Sequence, residues 1–169
     1  MSDFILPDVL VDLARRVIDG NRAAGRRIAV AESCTGGLVS AALTEIPGSS
    51  DVFIAGFVTY ADDAKTELLG VARDVIETFG AVSIATAWAM AHGAVARAKA
   101  DVAVAITGVA GPTGGTDRKP IGTVVFACAK AGDDPEEART DQRFFGDLGR
   151  AGIRLQAALC ALELLVPEP

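Results

Sequence analysis

Histidine, tyrosine and tryptophan each occur once in this chain of 169 residues, and cysteine only three times. A zinc centre or a disulfide framework therefore has little to build on. Cys34, Cys128 and Cys160 form an odd set without CxxC spacing, and none is near His92. A Ser-His-Asp triad is no better supported, because His92 sits in an alanine-rich segment with no evident partner. Basic charge is scarce as well: 16 Lys and Arg face 22 Asp and Glu, a net charge of -6. That balance argues against a nucleic-acid partner, since Arg15-Arg16 and Arg26-Arg27 are too short for a phosphate-binding stripe. No apolar run approaches membrane-spanning length, and Met1-Ser2-Asp3-Phe4 lacks a basic-then-apolar leader. The expectation is a soluble, reduced, cytoplasmic protein with no membrane partner. Neither GxxxxGK[ST] nor GxGxxG is present, so a nucleoside triphosphate or dinucleotide reading lacks its fingerprint.

What the chain does have is apolar residues, 50% of the total, enough to bury one sizeable core; a single domain spanning 1–169 is the simplest organisation. Val9, Leu10, Leu13, Val17 and Ile18 recur at helical spacing between Pro7 and Gly25. Arg27 to Ala31 reads as a strand running into a glycine-rich turn, with a helix from Leu38 to Glu45. Val52 to Tyr60 reads as a second strand, followed by a short helix from Asp63 to Leu69. Ser83 can cap a helix reaching Lys99, and Asp101 to Ile106 suits a central strand covered on both faces. Ile121 to Ala129 and Ala138 to Phe145 form a hairpin, and Arg150 to Val166 a closing helix. The alternation predicts an α/β protein, a three-layer α/β/α sandwich with a mixed, mostly parallel sheet and one antiparallel strand.

Two glycine clusters stand out, Ser33-Cys34-Thr35-Gly36-Gly37 and Gly108 to Gly115, both expected at the carboxyl ends of strands, where open α/β sheets bind ligands. Ser33, Thr35, Gly36 and Gly37 make a candidate phosphate cradle at a helix N-terminus; a plain capped turn is the competing reading. Pro47-Gly48-Ser49-Ser50 could present a hydroxyl with adjacent N–H groups, nucleophile and oxyanion hole together, or be an ordinary turn. Lys65 lies in the first turn of a predicted helix, where the dipole disfavours the ammonium form; spacing alone favours the plainer reading of a solvated helix lysine. Tyr60 could relay a proton or orient Lys65. Cys34 is a rival nucleophile, because a helix N-terminus activates a thiolate.

Taken in order, Ala31-Glu32-Ser33-Cys34-Thr35-Gly36-Gly37, Pro47-Gly48-Ser49-Ser50, Gly56-Phe57-Val58-Thr59-Tyr60, Ala64-Lys65, Gly108-Val109-Ala110-Gly111-Pro112 and Lys119-Pro120-Ile121-Gly122-Thr123-Val124 closely resemble the CinA C-terminal domain family. The resemblance covers almost the whole chain. It implies a five-stranded, anticodon-binding-domain-like fold and deamidation of nicotinamide mononucleotide to nicotinate mononucleotide and ammonia, with no metal or cofactor. It also implies a homodimer, and a stand-alone form without the additional N-terminal domain that many members carry. Matched position by position, Ser50 resembles the family's nucleophile, Lys65 its general base and Tyr60 its supporting tyrosine. Ser33 and Thr107 resemble family positions lining the nucleotide pocket; Thr35, Gly36, Gly37, Gly48, Ser49, Gly108 and Gly111, from the glycine-rich turns above, are the further substrate-binding candidates. Arg150 is the candidate phosphate ligand, although the family sets arginine directly after its Gly-Asp pair and this chain inserts Leu148-Gly149; Arg154 is the alternative. A nucleotide-binding or regulatory module without turnover, linked to competence or DNA damage, is the competing function.

Overall fold

The computed structural model describes residues 4–168; Met1–Asp3, part of the start read above for a leader, and Pro169 lie outside the described residues. Helices α1 (Asp8–Ala23), α2 (Leu38–Thr44), α3 (Asp62–Leu69), α4 (Arg73–Phe79), α5 (Ile84–Ala98) and α6 (Gly149–Leu165) cover a sheet of β1 (Ile28–Glu32), β2 (Phe53–Val58), β3 (Val102–Gly108), β4 (Thr123–Lys130) and β5 (Arg139–Phe144). The spatial order is β2-β1-β3-β4-β5.

Strand β1 pairs parallel with β2 and β3, whereas β3–β4 and β4–β5 are antiparallel. The mixed five-stranded sheet is as expected, with four strands running one way and β4 the one antiparallel strand; counted by ladders, two are parallel and two antiparallel. The reason is the connections. No helix crosses over between β3 and β4, so the chain returns antiparallel, and the β4–β5 hairpin reverses it again.

Side chains alternate across the sheet, and their sizes sort by face. Ile28, Val30, Val102, Val104, Ile106, Val124 and Phe126 pack with α1, α2 and α6. Ala29, Ala31, Ala103, Ala105, Ala127 and Ala129 pack with Ala87, Met90, Ala91 and Ala94 of α5. The alanine face lets α5 lie close to the sheet. Helix α3 in turn crosses α5 at Gly93, where a Cβ would collide with the Leu69 carbonyl. Ser83 caps α5 as expected, its Oγ accepting the Thr86 N–H at 3.1 Å. Helix α4 was not foreseen, because it buries no residue fully and offers no apolar stripe to read. Among the described residues no helix is long and apolar enough to cross a membrane.

Candidate active site

Because β1, β2 and β3 are parallel, their carboxyl ends open on one edge of the sheet. Register sets Glu32 beside Val58 and Ile106. The ladder carries on past the strands: Ser33 N–H donates to the Ile106 carbonyl at 2.9 Å, and Thr59 N–H to the Glu32 carbonyl at 2.8 Å. A cleft of about 220 Å³ opens there, lined by Ser33, Tyr60, Lys65, Thr107, Gly108 and Arg150 among others.

Lys65 is 1% exposed, and its Nζ reaches only the Tyr60 carbonyl at 3.3 Å and Asp62 Oδ1 at 3.4 Å. Ser33 is only 8% exposed, and its hydroxyl has no hydrogen-bond partner among the described residues. The cleft therefore joins a free hydroxyl and a buried amine. Arg150 ties two loops together, donating to the Gly111 carbonyl at 2.7 Å and to the Tyr60 hydroxyl at 3.0 Å. Arg154 is spent elsewhere, on the carbonyls of Cys34 at 3.2 Å and Thr35 at 3.0 Å, so Arg150 is the arginine that faces the cleft.

Four expectations need correction. The Pro47-Gly48-Ser49-Ser50 turn, with Gly48, Ser49 and Ser50, sits where β2 begins, not where it ends. Ser50 is exposed within a 3-10 turn (Ser49–Asp51), and the Gly48 carbonyl takes Arg22 from the far end of α1. A six-residue strand spans about 17 Å between that turn and Tyr60. Ser50 and Lys65 therefore lie at opposite ends of the sheet.

The phosphate cradle is the second correction. The N–H groups of Gly37, Val39 and Ser40 all donate to the Glu32 carboxylate, at 3.1, 3.1 and 2.9 Å, and the Ser40 hydroxyl joins them at 2.8 Å. The helix N-terminus already holds an anion, and that anion belongs to the protein. Gly36 is solvent-exposed outside the cleft, and Thr35 is wholly buried with an unpartnered hydroxyl.

The third concerns Cys34, whose thiol lies beside the cleft. Burial, reinforced by the Glu32 charge, pushes it up to about 12, so desolvation outweighs the activation expected of a helix start.

Glycine is the fourth. Gly108 lines the cleft, but the next N–H, that of Val109, is already spent on the Thr123 carbonyl at 2.9 Å, and the Val109 carbonyl accepts the Gly122 N–H at 2.8 Å. Gly111 contributes its carbonyl to Arg150.

Sequence reasoning missed Glu32 as the internal anion, although a carboxylate directly before a glycine-rich helix start was the signal. It also missed Ala81 and Val82, which close the cleft from the α4–α5 connection. His92 lies at the other end of the sheet, its ring 4.4 Å from that of Trp88, in a larger cleft of about 290 Å³ with Lys130, Arg139 and Glu168. That cleft holds none of the candidate residues.

The family model described as CinA C-terminal domain matches residues 10–168. The chain is 52% identical over 155 residues to a CinA-like protein of Mycobacterium avium (strain 104), covering 91% of this chain and 34% of that protein. It thus spans about a third of the length of that curated relative. It is 48% identical over 168 residues to the nicotinamide-nucleotide amidohydrolase PncC of Enterobacter agglomerans, covering 99% of this chain and 98% of that protein. Among solved structures, the competence/damage inducible protein CihA from Agrobacterium tumefaciens superposes with a TM-score of 0.91 at 48% identity, covering 98% of both chains.

Proposed function

This chain belongs to the CinA C-terminal domain family, and we propose on that premise that it hydrolyses the carboxamide of nicotinamide mononucleotide to nicotinate mononucleotide and ammonia. The observation that carries the reading is that one cleft is lined by both the Ser33 hydroxyl, without a partner among the described residues, and the buried Lys65 amine. Likeness to PncC along the full chain supports the substrate.

In this mechanism Ser33 takes the role that the motif resemblance gave to Ser50. Its Oγ bonds to the carboxamide carbon as its proton passes to a neutral Lys65 Nζ. Backbone N–H groups following Ser33 hold the oxyanion. When the C–N bond breaks, Lys65 returns the proton to the nitrogen, which leaves as ammonia. Water then adds to the acyl carbon, giving a proton through Lys65 to Ser33 Oγ and releasing the acid. Arg150, steadied by Tyr60, meets the phosphate with its remaining N–H groups. No metal or cofactor enters these steps. The reading includes one amidohydrolase domain, a homodimer, no nucleic-acid partner and a reducing, cytoplasmic setting. Support for the last comes from three cysteines that are all free.

Ammonia release from nicotinamide mononucleotide tests this. Ser33→Ala and Lys65→Ala should each abolish it, whereas Ser50→Ala should retain it. Loss in Ser50→Ala with retention in Ser33→Ala would return the nucleophile to the turn before β2. Binding of the nucleotide without turnover by the parent protein would favour the regulatory module.

A further inference from the structure

Thr107 is 1% exposed at the end of β3, lines the cleft, and makes one side-chain hydrogen bond: Oγ1 to the Ala81 carbonyl at 2.8 Å. A carbonyl oxygen can only accept, so the hydroxyl proton is committed to Ala81. No donor among the described residues reaches Oγ1. What the hydroxyl has left to offer is lone pairs. Ser33, beside it at the end of the neighbouring strand, differs in that its proton is uncommitted.

A carboxamide and a carboxylate have nearly the same shape, but only the amide nitrogen donates hydrogen bonds. The charges that line the cleft do not favour the amide. The Lys65 amine donates hydrogen bonds to a carboxylate as readily as to an amide oxygen, Arg150 adds positive charge to the cleft, and Asp62, 58% exposed, lies 3.4 Å from Lys65. An enzyme with this cleft alone would hold its acid product at least as well as its substrate, so something must oppose the product.

We propose that Thr107 is the residue that distinguishes carboxamide from carboxylate: its Oγ1, fixed as an acceptor by Ala81, takes an N–H of the substrate amide and presents only lone-pair repulsion to the acid. This rests on the deamidase reading and adds to it a means of product release. A site built around a hydrogen bond rejects the analogue that cannot make it far better than one relying on shape.

The test compares the parent, Thr107→Val and Thr107→Ser. KM is measured for nicotinamide mononucleotide, and the inhibition constant for nicotinate mononucleotide. Valine keeps the shape and removes the acceptor, so the preference for amide over acid should fall about tenfold, the scale of one lost hydrogen bond. Serine keeps both the donation to Ala81 and the acceptor, and should preserve the preference within about twofold. A merely structural role would weaken both ligands in parallel, and an unchanged ratio in Thr107→Val overturns the proposal. If the parent releases no ammonia, the deamidase reading fails instead; dissociation constants of the same two nucleotides then decide the Thr107 claim separately.

Discussion

The Glu32 carboxylate accepts the Ser40 hydroxyl at 2.8 Å, completing four hydrogen bonds by which a strand end holds the start of α2. Ser33 is the next residue along. Glu32→Gln keeps the size but turns an amide against N–H groups that now have an acceptor. Hydrogen bonds to charged groups are each worth about 1.5–3 kcal/mol, so urea unfolding should show a loss of about 2–3 kcal/mol, with ammonia release falling alongside. A variant as stable as its parent would deny the carboxylate this role.

Gly108 cannot accept a side chain. A Cβ would stand 2.9 Å from both the Thr123 carbonyl and Val124 Cγ2, and 3.1 Å from Cys34 Sγ. The carbonyl belongs to the neighbouring strand and cannot move aside. Gly108→Ala should lower stability by about 1–3 kcal/mol and reduce activity further than the stability loss explains, because the displaced backbone lines the cleft. Thermal unfolding and ammonia release measured on the same sample check both parts.

Tyr60 is 59% exposed, so its ring contributes little to the core, while its hydroxyl receives Arg150. Tyr60→Phe leaves Arg150 held only by the Gly111 carbonyl. The KM for nicotinamide mononucleotide should rise by about twofold to tenfold, the net scale of one exposed hydrogen bond, with kcat and melting temperature nearly unchanged. A fall in kcat with constant KM would instead place the tyrosine in the proton transfers.

Two thiols tie stability to alkaline pH. Burial raises Cys34 to about 12 and Cys128 to about 11, from an ordinary 9.0. Both are raised in the folded state, so the protonated thiols stabilise the fold fully below pH 9, and that stabilisation is lost as pH climbs through the folded values. Above about 9 each thiol should remove up to about 1.4 kcal/mol of stability per pH unit. Urea midpoints at several pH values measure this. A flat profile over that range would mean the thiols are wetter than their burial suggests.

Much of the framework was legible because it rests on local rules. The apolar stripe from Leu10 to Ile18, the Ser83 cap and the β-branched runs at Val52 and Asp101 each announce an element through its own periodicity, although Val9, read as part of that stripe, is exposed. Helix α4 escaped because it packs too little surface to impose a pattern.

The site was legible in type but not in arrangement. Lys65, Tyr60, Thr107, Gly108, Ser33 and Arg150 were picked out as residues, and they do line one cleft. Ser50 was picked out by the same motif logic and lies at the wrong end of its strand. Its turn has the right chemistry in the wrong place.

By itself the sequence determined the kinds of element, the two-faced sheet core and the shortage of histidine and cysteine that removes most other catalytic plans, since all of these follow from residue type and short-range spacing. Only the tertiary structure decided which hydroxyl shares a cleft with the lysine, and which anion sits at the start of α2. Those outcomes depend on parallel register bringing strand ends together across the sheet, a relation between residues tens of positions apart that no local pattern encodes.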